Sequence, residues 1–269
     1  IIHDALAHNS IIQGSILSGA TRRPFEHNDW EDLDKALTEM RRDFRRVLIA
    51  VEGLYSMDGD YPDLPKFLEI KKRHKCFLFV DEAHSFGSLG KTGRGITEHY
   101  GIDIKEIDFS MGTISKALGS LGGFIGSSKA TIEYLKYTTP GFVFSGGLTA
   151  ADTAAGLEAI RVLRREPWRV ETLRKNSELF LKLAREAGLN TGNSCGTPIV
   201  PVITGDSLKA LKLSESLYKA GINAQPILHP AVEEDRARVR FFLTAIHTED
   251  QIRNAVEVTV KAWDEMNAN

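Results

Sequence analysis

Short apolar runs that stop at a charged or small residue alternate along this chain with segments whose apolar positions recur every three or four residues. Val47-Leu48-Ile49-Ala50-Val51 is one such run, and the Glu52–Asp60 stretch after it reads as a loop. Lys75-Cys76-Phe77-Leu78-Phe79-Val80 is another, and it ends on Asp81. Runs of this length, bounded by loop residues, mark strands buried on both faces of a parallel sheet. Between them, Leu64, Phe67, Leu68 and Lys71 fall on helical spacing within Pro62–His74, with Pro62 tolerated near the start. Strand, helix and strand together make a βαβ crossover. A further apolar segment, Ile107 to Met111, ends in Gly112-Thr113. Upstream, Ile1-Ile2-His3-Asp4 enters as a strand already under way, and the residues from Asp4 read as a strand-end loop entering a helix. Asn28 and Asp29 cap a helix with apolar positions at Trp30, Leu33 and Leu37.

Helical patterns follow over Lys129–Tyr137, Ala150–Arg164 and Trp168–Ala187, the last with Leu173, Phe180, Leu181 and Ala184 on one side. From Gly188 the rhythm changes to strand (199–203), helix (207–220), strand (224–228), strand (238–243) and helix (249–263). The expected architecture is α/β. A large domain over 1–165 has a mainly parallel sheet flanked by helices, and 166–269 form a linking helix and a small α+β domain.

Composition narrows the function classes. A net charge of −2 offers no electrostatic case for nucleic acid or an anionic membrane. No apolar run approaches the roughly 20 residues of a membrane span. Two distant cysteines, Cys76 and Cys195, argue against a disulfide framework and fit a reducing cytoplasm. Metal-site spacings such as H-E-x-x-H and C-x-x-C are absent, as is a G-x-S-x-G elbow.

The chemistry concentrates between Val80 and Gly123. Asp81 stands at the carboxyl end of a buried strand, where open α/β sheets place ligands, and His84 follows in the loop. Lys116 lies among small residues in Gly112-Thr113-Ile114-Ser115-Lys116-Ala117-Leu118-Gly119. An acid, an imidazole and a lysine at strand ends suit pyridoxal 5′-phosphate (PLP). The amine holds the aldehyde as a Schiff base, the carboxylate keeps the pyridinium nitrogen protonated, the imidazole meets the phenolic oxygen, and Thr113 and Ser115 offer hydroxyls to the phosphate.

Val-Asp-Glu-Ala-His-Ser at 80–85, with Gly-Thr-x-Ser-Lys-Ala-Leu-Gly at 112–119, resembles the α-oxoamine synthases, a branch of the fold-type I PLP-dependent transferases. The resemblance extends over nearly the whole chain. It implies that His8, in Asp4-Ala5-Leu6-Ala7-His8-Asn9-Ser10, stacks on the cofactor ring, and that Ser56, in Glu-Gly-x-x-Ser-Met-Asp-Gly, lies beside the cofactor. It gives Ser145 or Thr149 a contact with the phosphate of a neighbouring subunit, and makes Arg240, in Arg-x-Arg-x-x-x-Thr-Ala-x-His, the grip on the amino-acid carboxylate. The implied activity is condensation of an amino acid with an acyl thioester, on coenzyme A or a carrier protein, usually with decarboxylation, in a cytoplasmic homodimer. Relatives carry a glycine-rich stretch ahead of the segment matched here, so the chain reads as the remainder of a longer polypeptide. The motifs are shared in outline with aminotransferases, which are the alternative, beside a non-catalytic or truncated partner subunit.

Overall fold

The computed structural model describes residues 1–267; the last two positions of the expected second domain lie outside the described residues. The chain packs as two compact units. The first comprises Ile1–Tyr55 and Tyr61–Pro167, and the second comprises Ser56–Asp60 with the chain from Trp168 onward.

The first unit is built on a six-stranded sheet: Ile2–Asp4 (β1), Arg23–Phe25 (β2), Leu48–Glu52 (β3), Phe77–Asp81 (β4), Phe109–Thr113 (β5) and Gly123–Gly126 (β6), in the order β2-β1-β3-β4-β5-β6. β1 to β5 pair in parallel, and β6 closes the far edge antiparallel to β5. The helices are Asn9–Leu17 (α1), Trp30–Met40 (α2), Leu64–His74 (α3), Ile96–Tyr100 (α4), Lys129–Thr138 (α5), Pro140–Val143 (α6) and Ala150–Arg165 (α7). Asp29 caps α2 as expected, its carboxylate accepting the Glu31 and Asp32 N–H groups at 2.9 Å. Leu33, Ala36 and Leu37 of α2, and Leu64, Phe67, Leu68 and Ile70 of α3, are buried.

β4 ends on Asp81, as the sequence pattern predicts. β5 starts at Phe109 rather than Ile107, because the Asp108 carboxylate accepts the Leu78 N–H at 2.7 Å, so a side chain serves the ladder there. β2 and β6 were not anticipated as strands. Arg23-Pro24-Phe25 has no apolar run, and its proline is tolerated because β2 is an edge.

In the second unit, Ile199–Ile203 (β7), Gln225–Ile227 (β8) and Arg238–Phe242 (β9) form an antiparallel sheet in the order β7-β9-β8. Trp168–Glu186 (α8), Ser207–Lys219 (α9) and Glu249–Asn267 (α10) pack with it around Phe180, Leu181, Val200, Leu213, Val239 and Val256. The short Ser56–Asp60 segment is tied into this unit by Thr197, whose hydroxyl donates to the Gly59 carbonyl at 2.7 Å. Gly59 has φ +69°, and a Cβ there would collide with the Ile199 carbonyl, so both backbone conformation and space require glycine.

Candidate active site

Four neighbouring parallel strands, β1, β3, β4 and β5, end at one edge of the first unit's sheet. β1 leads into His8, β3 ends on Glu52, β4 ends on Asp81 with His84 in the following loop, and β5 ends on Thr113 with Lys116 three residues later. Glu52 and Asp81 are register partners, as are Asp81 and Met111. The chain runs from β1 outward to β2 and returns past β1 to β3, so the order reverses between β1 and β3. Such a reversal opens a crevice at the carboxyl ends of the strands. Here the two sides of it are joined: the His8 N–H donates to Glu52 Oε1 at 2.6 Å.

Asp81 is buried, and its Oδ1 accepts the Ala83 N–H at 2.8 Å. Burial raises its pKa above the usual carboxylate range, against the pull of that N–H and of the nearby Lys116 and His8 side chains. Lys116 is itself exposed, and its ammonium acts on both Asp81 and Glu52. The acid, His8 and the lysine are therefore within electrostatic reach of one another. Burial pushes Glu52 to about 8, with the Asp81 charge adding to the effect.

Glu82 organises the loop that carries His84. Its buried carboxylate accepts the Ser85 hydroxyl and, at 3.1 Å, the Ile96 N–H, so one side chain holds both ends of the 85–96 loop. His84 is half-buried, and its carbonyl accepts the Ser88 hydroxyl at 2.5 Å. His8 caps α1, its Nδ1 accepting the Ser10 N–H at 3.2 Å.

The phosphate candidates separate into two groups. Thr113 and Ser115 pair their hydroxyls at 2.7 Å beside Lys116. Ser145 and Thr149 are exposed and engaged locally: Ser145 accepts the Gly147 N–H, while Thr149 caps α7 by accepting the Asp152 N–H and donating to the Asp152 carboxylate. A groove of about 1220 Å³, lined by Phe77, Glu82, Phe86, Phe109 and Phe124 among others, contains none of His8, Asp81, His84 or Lys116.

The second unit holds Ser56 and Arg240. Arg240 Nη1 donates to the Ser56 carbonyl at 2.5 Å, and its guanidinium lies 4.6 Å from the centre of the Phe242 ring. Its Nε is buried with no hydrogen-bond partner among the described residues. Burial, with Arg238 alongside, holds the guanidinium below the usual arginine range. Arg238 has a different task. It is fully buried, and its Nη1 donates to Asp58 Oδ1 and to the Met57 carbonyl, both at 2.8 Å.

A family model described as aminotransferase class I and II matches residues 1–258. The chain belongs to the aminotransferase class I and II family. It is 40% identical over 266 residues to the 8-amino-7-oxononanoate synthase of Treponema denticola, covering 99% of this chain and 67% of that one. It is 38% identical over 263 residues to the serine palmitoyltransferase of Bacteroides ovatus, covering 98% and 66%. A solved serine palmitoyltransferase holding PLP superimposes with a TM-score of 0.93 at 30% identity, over 100% of this chain and 67% of that one. The chain spans about two thirds of the length of these relatives. Within the family its relatives are the α-oxoamine synthases, and its fold is that of the fold-type I PLP transferases.

The donor set at the strand ends fits the cofactor of this family. A buried carboxyl meets the need of a pyridinium nitrogen, Lys116 meets that of an aldehyde, and the paired Thr113 and Ser115 hydroxyls can meet a phosphate. Sequence reasoning missed Glu52 and Glu82, which the structure buries beside Asp81 and the His84 loop. The signal for Glu52 was present, since it ends an apolar run as Asp81 does. Its position at the head of a loop, four residues before Ser56, masks it as a loop residue.

Proposed function

We propose that this chain supplies the PLP site and carboxylate grip of an enzyme that condenses an amino acid with an acyl thioester to an α-oxoamine, usually with loss of carbon dioxide. The convergence of Asp81, His8 and Lys116 on one sheet edge carries the reading, together with similarity to two acyl-transferring synthases. When bound, PLP supplies an electron sink conjugated to the amino acid's Cα. Asp81 would keep a proton at the ring nitrogen. Lys116 would hold the aldehyde through its amine and, once the amino acid is bound, carry a proton at Cα. His8, whose backbone is fixed by Glu52, would pack on the ring, and His84 would meet the ring oxygen.

Arg240 binds the substrate carboxylate, and its Nε, buried without a partner among the described residues, is a donor suited to that task. Fixing the carboxylate orients the breaking bond, a positional effect worth several kcal/mol. Ser56 would offer a further contact to the cofactor, and Thr113 and Ser115 would hold the phosphate. The second unit is the small domain of the fold.

The active form is a homodimer. The exposed apolar side chains of Tyr137, Phe142, Phe144 and Leu148 supply a surface that a second copy would cover, and they flank Ser145 and Thr149, the candidates for a phosphate contact across it. Cys76 and Cys195, which are not joined in a disulfide, support a cytoplasmic setting, and no helix among the described residues is long and apolar enough to cross a membrane.

The test is a panel of amino acids and acyl thioesters, read by release of free thiol from the PLP-loaded protein. Thiol release that depends on both substrates is expected. Amino transfer to a 2-oxo acid without thioester consumption would select an aminotransferase instead.

A further inference from the structure

Three carboxyls are buried at adjacent strand ends: Asp4 on β1, Glu52 on β3 and Asp81 on β4. Asp4 is the best served, accepting the Leu6 and Asn28 N–H groups at 2.8 Å each and lying 2.8 Å from His27 Nδ1. Asp81 takes the Ala83 N–H and lies within electrostatic reach of Lys116 and His8. Glu52 takes the His8 N–H and lies directly across the ladder from Asp81. We propose that Glu52 is a positioning residue that binds the His8 backbone as a neutral acid, leaving Asp81 as the ionised member of the pair.

This rests on the proposed cofactor chemistry and deepens it. Two carboxylates on paired strand positions away from water repel strongly, so one of them keeps its proton. The groups facing Glu52 are Asp81 from β4, Asp4 and His8 from β1 and the loop beyond it, Lys116 from the loop after β5, and Tyr55 from its own loop. Asp81 and Asp4 push its proton on; the His8 N–H and Lys116 pull it off; burial outweighs them, and Glu52 titrates at about 8. The neutral acid still offers an oxygen to the His8 N–H. It adds no second negative charge to compete with Asp81 for Lys116 and a cationic ring nitrogen.

The test compares wild type with Glu52→Gln, which keeps the acceptor and cannot ionise, and with Glu52→Ala, which removes it. Urea unfolding of the cofactor-free protein at pH 5.5 and 8.5 reads the proton directly. The wild-type midpoint, relative to that of E52Q, is expected to fall by about 1 M urea or more between the two pH values. Parallel midpoints overturn the proposal.

In the PLP-loaded protein, the absorbance of the bound cofactor in wild type is expected to show a step near pH 8 that E52Q lacks. E52A is expected to bind PLP at least tenfold more weakly than E52Q, reflecting loss of the His8 contact. A step that persists in E52Q, or equal PLP affinity of E52Q and E52A, contradicts the assigned role. If the unfolding result holds while wild type takes up no PLP at Lys116, the proton stands and the cofactor reading falls.

Discussion

Replacing Asp58 by alanine leaves the guanidinium of Arg238 buried without its counter-charge. Arg238 is 2% exposed and Asp58 1%, and they meet at 2.8 Å; the half-exposed Arg236 reaches the same Oδ1 at 3.6 Å. After the substitution, Arg238 keeps the Met57 and Arg236 carbonyls as acceptors, so its hydrogen bonding is damaged in part while its charge is uncompensated. Breaking a buried pair from one side costs about 3–5 kcal/mol. With a urea dependence of about 1–3 kcal/mol/M, D58A should lower the midpoint of the transition reporting on this unit by about 1–5 M.

A double-mutant cycle with Arg238→Met separates the pair from the residues. The double variant should recover much of the loss, because a buried methionine leaves no charge behind. The same change should also loosen β9, which carries Arg240 two residues on, and raise the KM for the amino acid more than it lowers kcat. A loss below about 1 kcal/mol for D58A, or strict additivity in the cycle, would refute the view that this ion pair holds the Ser56–Asp60 segment to β9.

Further outcomes follow from the same geometry. Arg240→Lys should raise the amino-acid KM by roughly 10- to 100-fold, since a point charge replaces a planar two-pronged donor; steady-state kinetics at saturating thioester measures it. Gly95→Ala should loosen the 85–96 loop, because Gly95 sits at φ +93° and its new Cβ would press on the Glu82 carboxylate; limited proteolysis should cut there at least several-fold faster, at a stability cost of about 1–3 kcal/mol. The raised Glu52 fixes a sign for pH dependence. Between pH 4.5 and about 8 the folded state holds a proton the unfolded chain has released, so this group's contribution to stability falls by up to ~5 kcal/mol across that window and is level on either side. Chemical unfolding of wild type and E52Q across pH 4–9 checks it.

Much of this was legible in the sequence because buried parallel strands announce themselves. Phe77–Val80 is apolar throughout and stops at a carboxylate, so both strand and site residue could be placed. Periodicity likewise placed α2, α3, α8 and α9 to within a few residues. β2 and β6 were not legible, since Arg23-Pro24-Phe25 and Gly123-Phe124-Ile125-Gly126 have neither alternation nor a long apolar run, and edge position alone makes them strands. The separate duties of Arg238 and Arg240 follow from what lies across from each on β9, which spacing does not encode. Glu52 and Glu82 were hidden for another reason. A glutamate is ordinarily solvated, and only the tertiary fold buries Glu52 against Asp81 or turns Glu82 back onto Ser85 and Ile96.

The central claim is a covalent one, and borohydride reduction of the PLP-loaded protein followed by peptide mapping tests it most directly. The account predicts a single phosphopyridoxyl label on the peptide containing Lys116, abolished in Lys116→Ala and diminished in Asp81→Ala. A label on another lysine, or an unlabelled Lys116 in protein that has bound the cofactor, would contradict it.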